Sequence, residues 1–160
     1  MTPFAVEAEA AAGSMLELIS FEIGGQEYCI DVRSVREIRG WTPTTPMPQT
    51  PDYILGVINL RGVVMPVLDL RCRLGLGRTE PSSRHVIVVI QDGSRMAGVL
   101  VDGVQETFQL AASLLQAPPA MDSDANDQFV DAIIPLEGRM LSRLVVRSLL
   151  PSEQLQGQAA

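Results

Sequence analysis

Short apolar runs punctuated by glycine set the rhythm of this chain, and no apolar pattern at helical spacing outlasts two turns. Leu16 to Ile23 alternates imperfectly, Gly24-Gly25 supplies a turn and Gln26 to Ile30 returns, which predicts a hairpin. Asp31 is placed to cap a single helical turn that stacks Val32 and Val35 on one side, after which Glu37 to Gly40 resumes an extended course. From Tyr53 to Arg71 the chain is apolar on both sides of one central charge, Arg61, set beside Gly62. β-Branched residues in short runs, broken by glycine and followed by Pro66, predict two strands meeting there at a sharp turn. Val86 to Ile90 is a continuously apolar strand, Asp92-Gly93 signals a type I′ turn, and Met96 to Val101 is the partner strand. Val104 to Phe108 carries the chain on to Leu110. A last hairpin, Phe129 to Leu136 and Arg139 to Val145 about Glu137-Gly138, leads into a short terminal helix over Val146 to Leu150, stopped before Pro151.

The connections carry their own signals. Thr42 to Pro51 holds four prolines and four threonines in ten residues, which forbids helix and central strand and predicts an ordered loop. Pro51-Asp52 is placed to start a short helix over Tyr53 to Leu55. Gly75 to Arg84 reads as an exposed loop, Ser113 to Gln116 as one turn, and Ala117 to Asp127 as a solvated acidic loop. The run Val101-Asp102 to Val104-Gln-Glu106 faintly echoes Ile30-Asp31 to Val35-Arg-Glu37, which hints at two related units. Strands at this spacing with glycine-containing turns predict an all-β fold of small barrels, which close their own sheet edges. Residues 1–14 are expected to form a disordered tail, 15–151 one double-barrel domain and 152–160 a flexible end.

Charge narrows the chemistry. The formal net charge is −7, and all twelve basic residues are arginine. Without lysine there is no Schiff base, no P-loop Gly-Lys-Ser/Thr and no lysine-rich patch for nucleic acid or anionic lipid. The arginines are scattered and aromatic residues make up 4% of the chain, which stands against a nucleic-acid-binding barrel. Cys29 and Cys72 lie among apolar neighbours with no activating base in view, which stands against a thiol enzyme. His85, the sole histidine, has no Ser, Cys or carboxylate at recognisable spacing. Asp122, Asp124 and Asp127 lack the glycine and closing glutamate of a calcium loop. No catalytic residue, metal or cofactor is expected. The N-terminus lacks a signal-peptide pattern, and no apolar run reaches the roughly 20 residues of a membrane helix, so a soluble cytoplasmic protein with no membrane insertion is expected.

Arg61 is the residue that most needs a reason. A guanidinium is always charged and costly to bury unpaired, so it must either reach solvent beside an apolar patch or pair with a carboxylate such as Glu37 or Asp69. Four blocks around it, Glu37-Ile-Arg-Gly40, Gly56-Val-Ile-Asn-Leu-Arg-Gly62, Pro66-Val-Leu-Asp-Leu-Arg71 and Val101-Asp-Gly-Val104, in that order and at those separations, closely resemble the CheW family of bacterial chemotaxis coupling proteins. The resemblance covers about residues 15 to 151. It implies a pair of SH3-like five-stranded β-barrels with a shared hydrophobic core and a few short helices. It also implies a non-catalytic adaptor that bridges the cytoplasmic tip of methyl-accepting chemoreceptors to the regulatory domain of a CheA-type histidine kinase. The pathway served, whether flagellar swimming, surface motility or a cyclic-dinucleotide output, stays open at this point.

By the same resemblance Glu37 and Arg61 match the family's acidic and basic pair near the partner-binding faces, flanked by Ile38 and Arg39, and Asn59, Leu60 and Gly62 complete its Asn-Leu-Arg-Gly motif. Val35, Val86 and Gly98 fall at positions similar to those lining a receptor groove between the barrels. The chain departs from the family pattern near its end. Glycine is expected near Ala132 or Ile134, and Ser142 and Arg143 put polar groups in a strand expected to be buried. That predicts a last strand displaced from the sheet or facing a partner, followed by a helix poorly capped by Val145.

Overall fold

The hairpins form where the glycines put them. In this computed structural model, which describes residues 14–119 and 129–151, β1 (Met15–Ile23) and β2 (Gln26–Asp31) meet at Gly24-Gly25. Both glycines are left-handed, at φ 59° and 81°, as a type I′ turn requires. Asp31 accepts from the Arg33 backbone N–H and caps a 3₁₀ turn over Val32–Ser34, which delivers the chain to β3 (Val35–Gly40). β4 (Ile54–Leu60) and β5 (Val63–Asp69) follow, then α1 (Leu70–Arg73), β6 (Val86–Asp92), β7 (Arg95–Val101) and β8 (Gly103–Ala111). A 3₁₀ turn over Ala112–Leu114, β9 (Val130–Leu136), β10 (Arg139–Leu144) and α2 (Val146–Leu149) complete the described chain.

Two local expectations are corrected. Asp52 and Tyr53 form a turn rather than a helix, and Ile54 and Leu55 already belong to β4, because the Asp69 backbone N–H reaches the Tyr53 carbonyl at 2.8 Å and draws the segment alongside β5. Asp92 pairs with Arg95, so the β6–β7 loop is Gly93-Ser94, with one positive φ, 64° at Gly93, where a type I′ turn needs two. The three aspartates Asp122, Asp124 and Asp127, and the two ends outside residues 14–151, lie outside the described residues.

Ten strands form two five-stranded sheets, ordered β8-β1-β2-β10-β9 and β3-β6-β7-β5-β4. The orders superimpose when β8 is matched to β3, β1 to β6, β2 to β7, β10 to β5 and β9 to β4; each centre is a parallel pair, β10 on β2 and β5 on β7. Two hairpins, β1–β2 and β6–β7, therefore send their following strand to the other sheet: β2 leads to β3, and β7 leads to β8. The sequence echo at Asp31 and Asp102 marks these two crossings. Each sheet then closes into a barrel through an extension of its swapped edge strand. Thr45 and Val57 exchange two backbone bonds of 2.9 Å across β3 and β4, and Gln116 and Ile133 exchange bonds of 3.0 and 2.7 Å across β8 and β9.

Three apolar clusters result. One lies inside each barrel: Leu18, Cys29, Leu110, Ile134 and Leu141 in the first, and Ile58, Met65, Val67, Ile87, Val89 and Leu100 in the second. The third and largest, including Phe21, Ile23, Ile30, Val88, Ile90, Val99 and Leu149, is shared between the barrels. Alternate residues of β6 face different clusters, which is why Val86 to Ile90 is apolar at every position. β10 keeps its place between β2 and β9, against the expectation of displacement. Arg143 grips Asp131 of β9 through two bonds of 2.9 Å, so its charge is paired where it is buried. Val145 caps α2 with no side-chain bond, as expected.

Candidate functional site

Leu60 and Val63 face each other across a two-residue loop, Arg61-Gly62, in which both residues are left-handed, at φ 54° and 88°. This is a type I′ turn with an arginine where Asn, Asp or Gly is usual. The Arg61 guanidinium crosses from that turn to hydrogen-bond the Glu37 carboxylate on β3, so one ion pair spans the two edge strands of the second barrel. Asp69, the other carboxylate considered for Arg61, is buried and taken: it accepts from the Thr79 backbone and hydroxyl at 2.7 Å each and from the Cys72 N–H at 3.5 Å. It caps α1 and ties down the loop 75–84, a role that spacing within the chain did not reveal.

Glu37 is shared. Arg39 lies 3.6 Å away on the same strand, and the Arg61 hydrogen bond, more than the weaker pull of Arg39, holds the Glu37 carboxyl below its ordinary range. Arg61 keeps 73% of its side chain in solvent, with exposed Gly62 and Asn59 beside it. Val63 and Val64, 47% and 38% exposed, add an apolar rim that sequence reading missed, because β-branched residues after a turn look like any strand start. A cleft of about 310 Å³ opens next to them, lined by Arg39, Thr42, Pro43, Thr45, Asn59 and Val64 among others.

Pairing with β6 sorts the β3 side chains onto two faces. Glu37 is opposite Val89 and Arg39 opposite Ile87, which point into the second barrel; Val35 is opposite Ile90 and Ile38 opposite Val88, which belong to the shared core. A bulge between Val35 and Glu37 makes this division. Val86, opposite Gly40, is half-buried on the same inter-barrel side as Val35, and Ile38 is exposed between them. Leu60 is buried in the second barrel. Gly98 pairs with Val89 and is buried, and a Cβ there would meet Ile87 Cγ2 at 2.7 Å, so close packing against β6 leaves no room for a side chain.

The remaining chemistry is structural. His85, expected to lack partners, has them: its Nδ1 accepts from the Ser82 backbone N–H at 3.0 Å, with Ser82 Oγ 3.2 Å away, and Nε2 lies 3.6 Å from Asp102 Oδ1. Ser82 Oγ accepts from the Arg84 N–H, and Asp102 accepts from Gly24 and Arg71, so this grouping fastens the loop and the two barrels together. Burial pushes the Cys29 thiol up to about 12, beyond service as a nucleophile at neutral pH, and burial raises that of Cys72 as well. Among the described residues, no three His, Cys, Asp or Glu side chains converge on a metal position, and no helix is long and apolar enough to cross a membrane.

Comparison with known proteins decides the family, since the family model for the CheW-like domain matches residues 17–154. The chain belongs to the CheW-like domain family. The CheW-like domain here is 47% identical over 138 residues to the chemotaxis protein CheW of Rhizobium meliloti, covering 86% of this chain and 89% of that one. It is 34% identical over 139 residues to that of Klebsiella aerogenes, covering 87% and 84%. The crystal structure of the scaffolding protein TtCheW from Thermoanaerobacter tengcongensis superimposes with a TM-score of 0.76 at 28% identity, covering 82% of this chain and 90% of that one. The double SH3-like barrel of the CheW-like domain is therefore the architecture observed.

Proposed function

We propose that this chain is a non-catalytic adaptor that couples methyl-accepting chemoreceptors to a CheA-type histidine kinase in a chemosensory pathway. Relatives named as chemotaxis proteins and a solved relative described as a scaffolding protein support the reading. In it the chain works in the cytoplasm and meets membrane receptor arrays through its partners, the regulatory domain of the kinase and the cytoplasmic tip of the receptor. Neither nucleic acid nor a cofactor takes part. The observation that carries it is Arg61: an exposed cation in the left-handed region, at a turn where Gly or Asn would relieve the backbone. Such a position favours a guanidinium only for what the guanidinium touches. Glu37 and Arg61 with Val63 and Val64 form a charged, apolar-rimmed surface at one end of the second barrel, and Val35 and Ile38 of β3 form a separate apolar face with Val86 of β6. Two unlike faces on one edge strand suit two partners, and small apolar patches rimmed by charge suit exchangeable contacts.

The test is co-purification with the kinase regulatory domain and a receptor tip fragment from the same cell. Arg61→Gly keeps the left-handed turn and removes the cation, so it is expected to fold with unchanged circular dichroism and to lose capture of at least one partner. Undiminished capture of both by Arg61→Gly, or a wild-type chain that retains neither, would defeat the reading.

A further inference from the structure

We infer that Asn59 is a positioning residue: it meets no partner itself but, by accepting the Gly62 backbone N–H on its Oδ1 at 2.8 Å, locks the Arg61-Gly62 turn that aims the guanidinium at Glu37 and at the docking surface. The inference rests on the proposed docking role of Arg61 and adds how that role is held in place. In a two-residue hairpin the closing bond runs between the residues that flank the loop, and the N–H of the second loop residue is left to water. Here it is taken by a side chain three residues back, an Asx-type closure that suits a left-handed turn. Arg61 needs such help, because a side chain at φ 54° is disfavoured and neither Arg61 nor Leu60 supplies a local acceptor. The matching hairpin of the first barrel, Leu136-Glu137-Gly138-Arg139, is a built-in contrast. It holds Pro135 where Asn59 stands, and Glu137 is not left-handed. Of these two hairpins, only the one with an arginine inside its loop carries the clasp. Freed of the clasp, Arg61 regains the right-handed and extended regions, from which its guanidinium no longer falls on Glu37.

The test follows the Glu37 carboxyl by NMR titration in the wild type, Arg61→Gly, Asn59→Ala and the double variant, alongside titration of the kinase regulatory domain and the receptor fragment into each. Asn59→Ala is expected to move the Glu37 titration upward toward that of Arg61→Gly and to weaken binding about fivefold, the scale of one lost hydrogen bond. The double variant is expected to bind no worse than Arg61→Gly alone, since a residue acting through Arg61 has nothing left to act on. A Glu37 titration in Asn59→Ala that overlays the wild type overturns the inference, and so does a double variant whose losses multiply. Wild-type binding by Arg61→Gly would instead defeat the docking role, and the Glu37 titration would still decide whether Asn59 positions the arginine.

Discussion

At the scale of single residues, Arg61 and Cys29 show how position overrides type. A left-handed arginine carries a backbone cost of about 1 kcal/mol, which an ordinary turn residue would avoid. Cys29, by contrast, is a thiol used as a small apolar side chain on β2, filling the first barrel beside Leu18 and Leu141. Desolvation is the leading cause of its raised value; Arg143 draws it down and Asp131 pushes it up. The sign of the stability effect follows. Between the ordinary 9.0 and about 12, the folded protein keeps a proton that the unfolded chain has released, so this contribution is intact below 9.0 and declines as pH climbs toward about 12. Tyr28, also raised by burial, adds to the same slope. Urea midpoints measured across that interval should therefore fall more steeply for the wild type than for Cys29→Ala, and parallel slopes would show that the thiol does not contribute. Alkylation of Cys29 in the folded state should be slow for the same reason.

At the scale of elements, closure of the second barrel depends on Gly56. This residue sits at φ 149° in β4, where a Cβ would come within 2.5 Å of the Thr45 carbonyl oxygen and 2.7 Å of Thr44 Oγ1. The close approach lets the proline-rich loop lay Thr45 against Val57 and lets Thr44 donate its hydroxyl to the Leu55 carbonyl. Gly56→Ala should cost about 2 kcal/mol or more by chemical denaturation, since backbone rather than a side-chain tip must yield, and it should loosen the 42–51 loop in hydrogen exchange. A variant as stable as the wild type would mean that the loop is held elsewhere. The hairpins, the Asp31-capped turn and the loop at Thr42 to Pro51 were legible because each rests on local chemistry: glycines at positive φ, an oxygen two residues from an N–H, prolines that donate nothing. Tyr53 to Leu55 was misread as a helix because the bond that straightens it comes from Asp69, outside the window in which a helix start is judged.

At the scale of the molecule, the exchange of β3 and β8 makes each barrel incomplete without the other half of the chain. Further ties cross the boundary. Arg73 of α1 lies over Tyr53 and Phe129, with its guanidinium carbon 4.1 Å and 5.1 Å from the ring centroids, and donates to the Ser148 carbonyl at 3.1 Å. Asp102, at the start of the second crossing, accepts from Gly24 of the first hairpin. With the shared cluster between the barrels, these contacts predict one cooperative transition in calorimetry, with equal calorimetric and van't Hoff enthalpies. Two resolved transitions would show that the barrels fold separately and that the swapped strands hold them only loosely.

What the amino-acid order decided by itself was everything short in range: strand runs, turns, the absence of lysine chemistry, and a lone guanidinium at a bend that demanded a partner. The two related units were visible too, as an echo around Asp31 and Asp102. Tertiary structure decided what depends on which strands become neighbours. It made the parallel pairs β2 with β10 and β5 with β7, chose Glu37 over Asp69 for Arg61, gave Arg143 a place in a central strand by supplying Asp131, and put Gly98 inside a barrel. Side-chain alternation says that a strand has two faces. Only the packed sheets say which face meets the core and which meets solvent, because burial is a property of the neighbours and not of the strand.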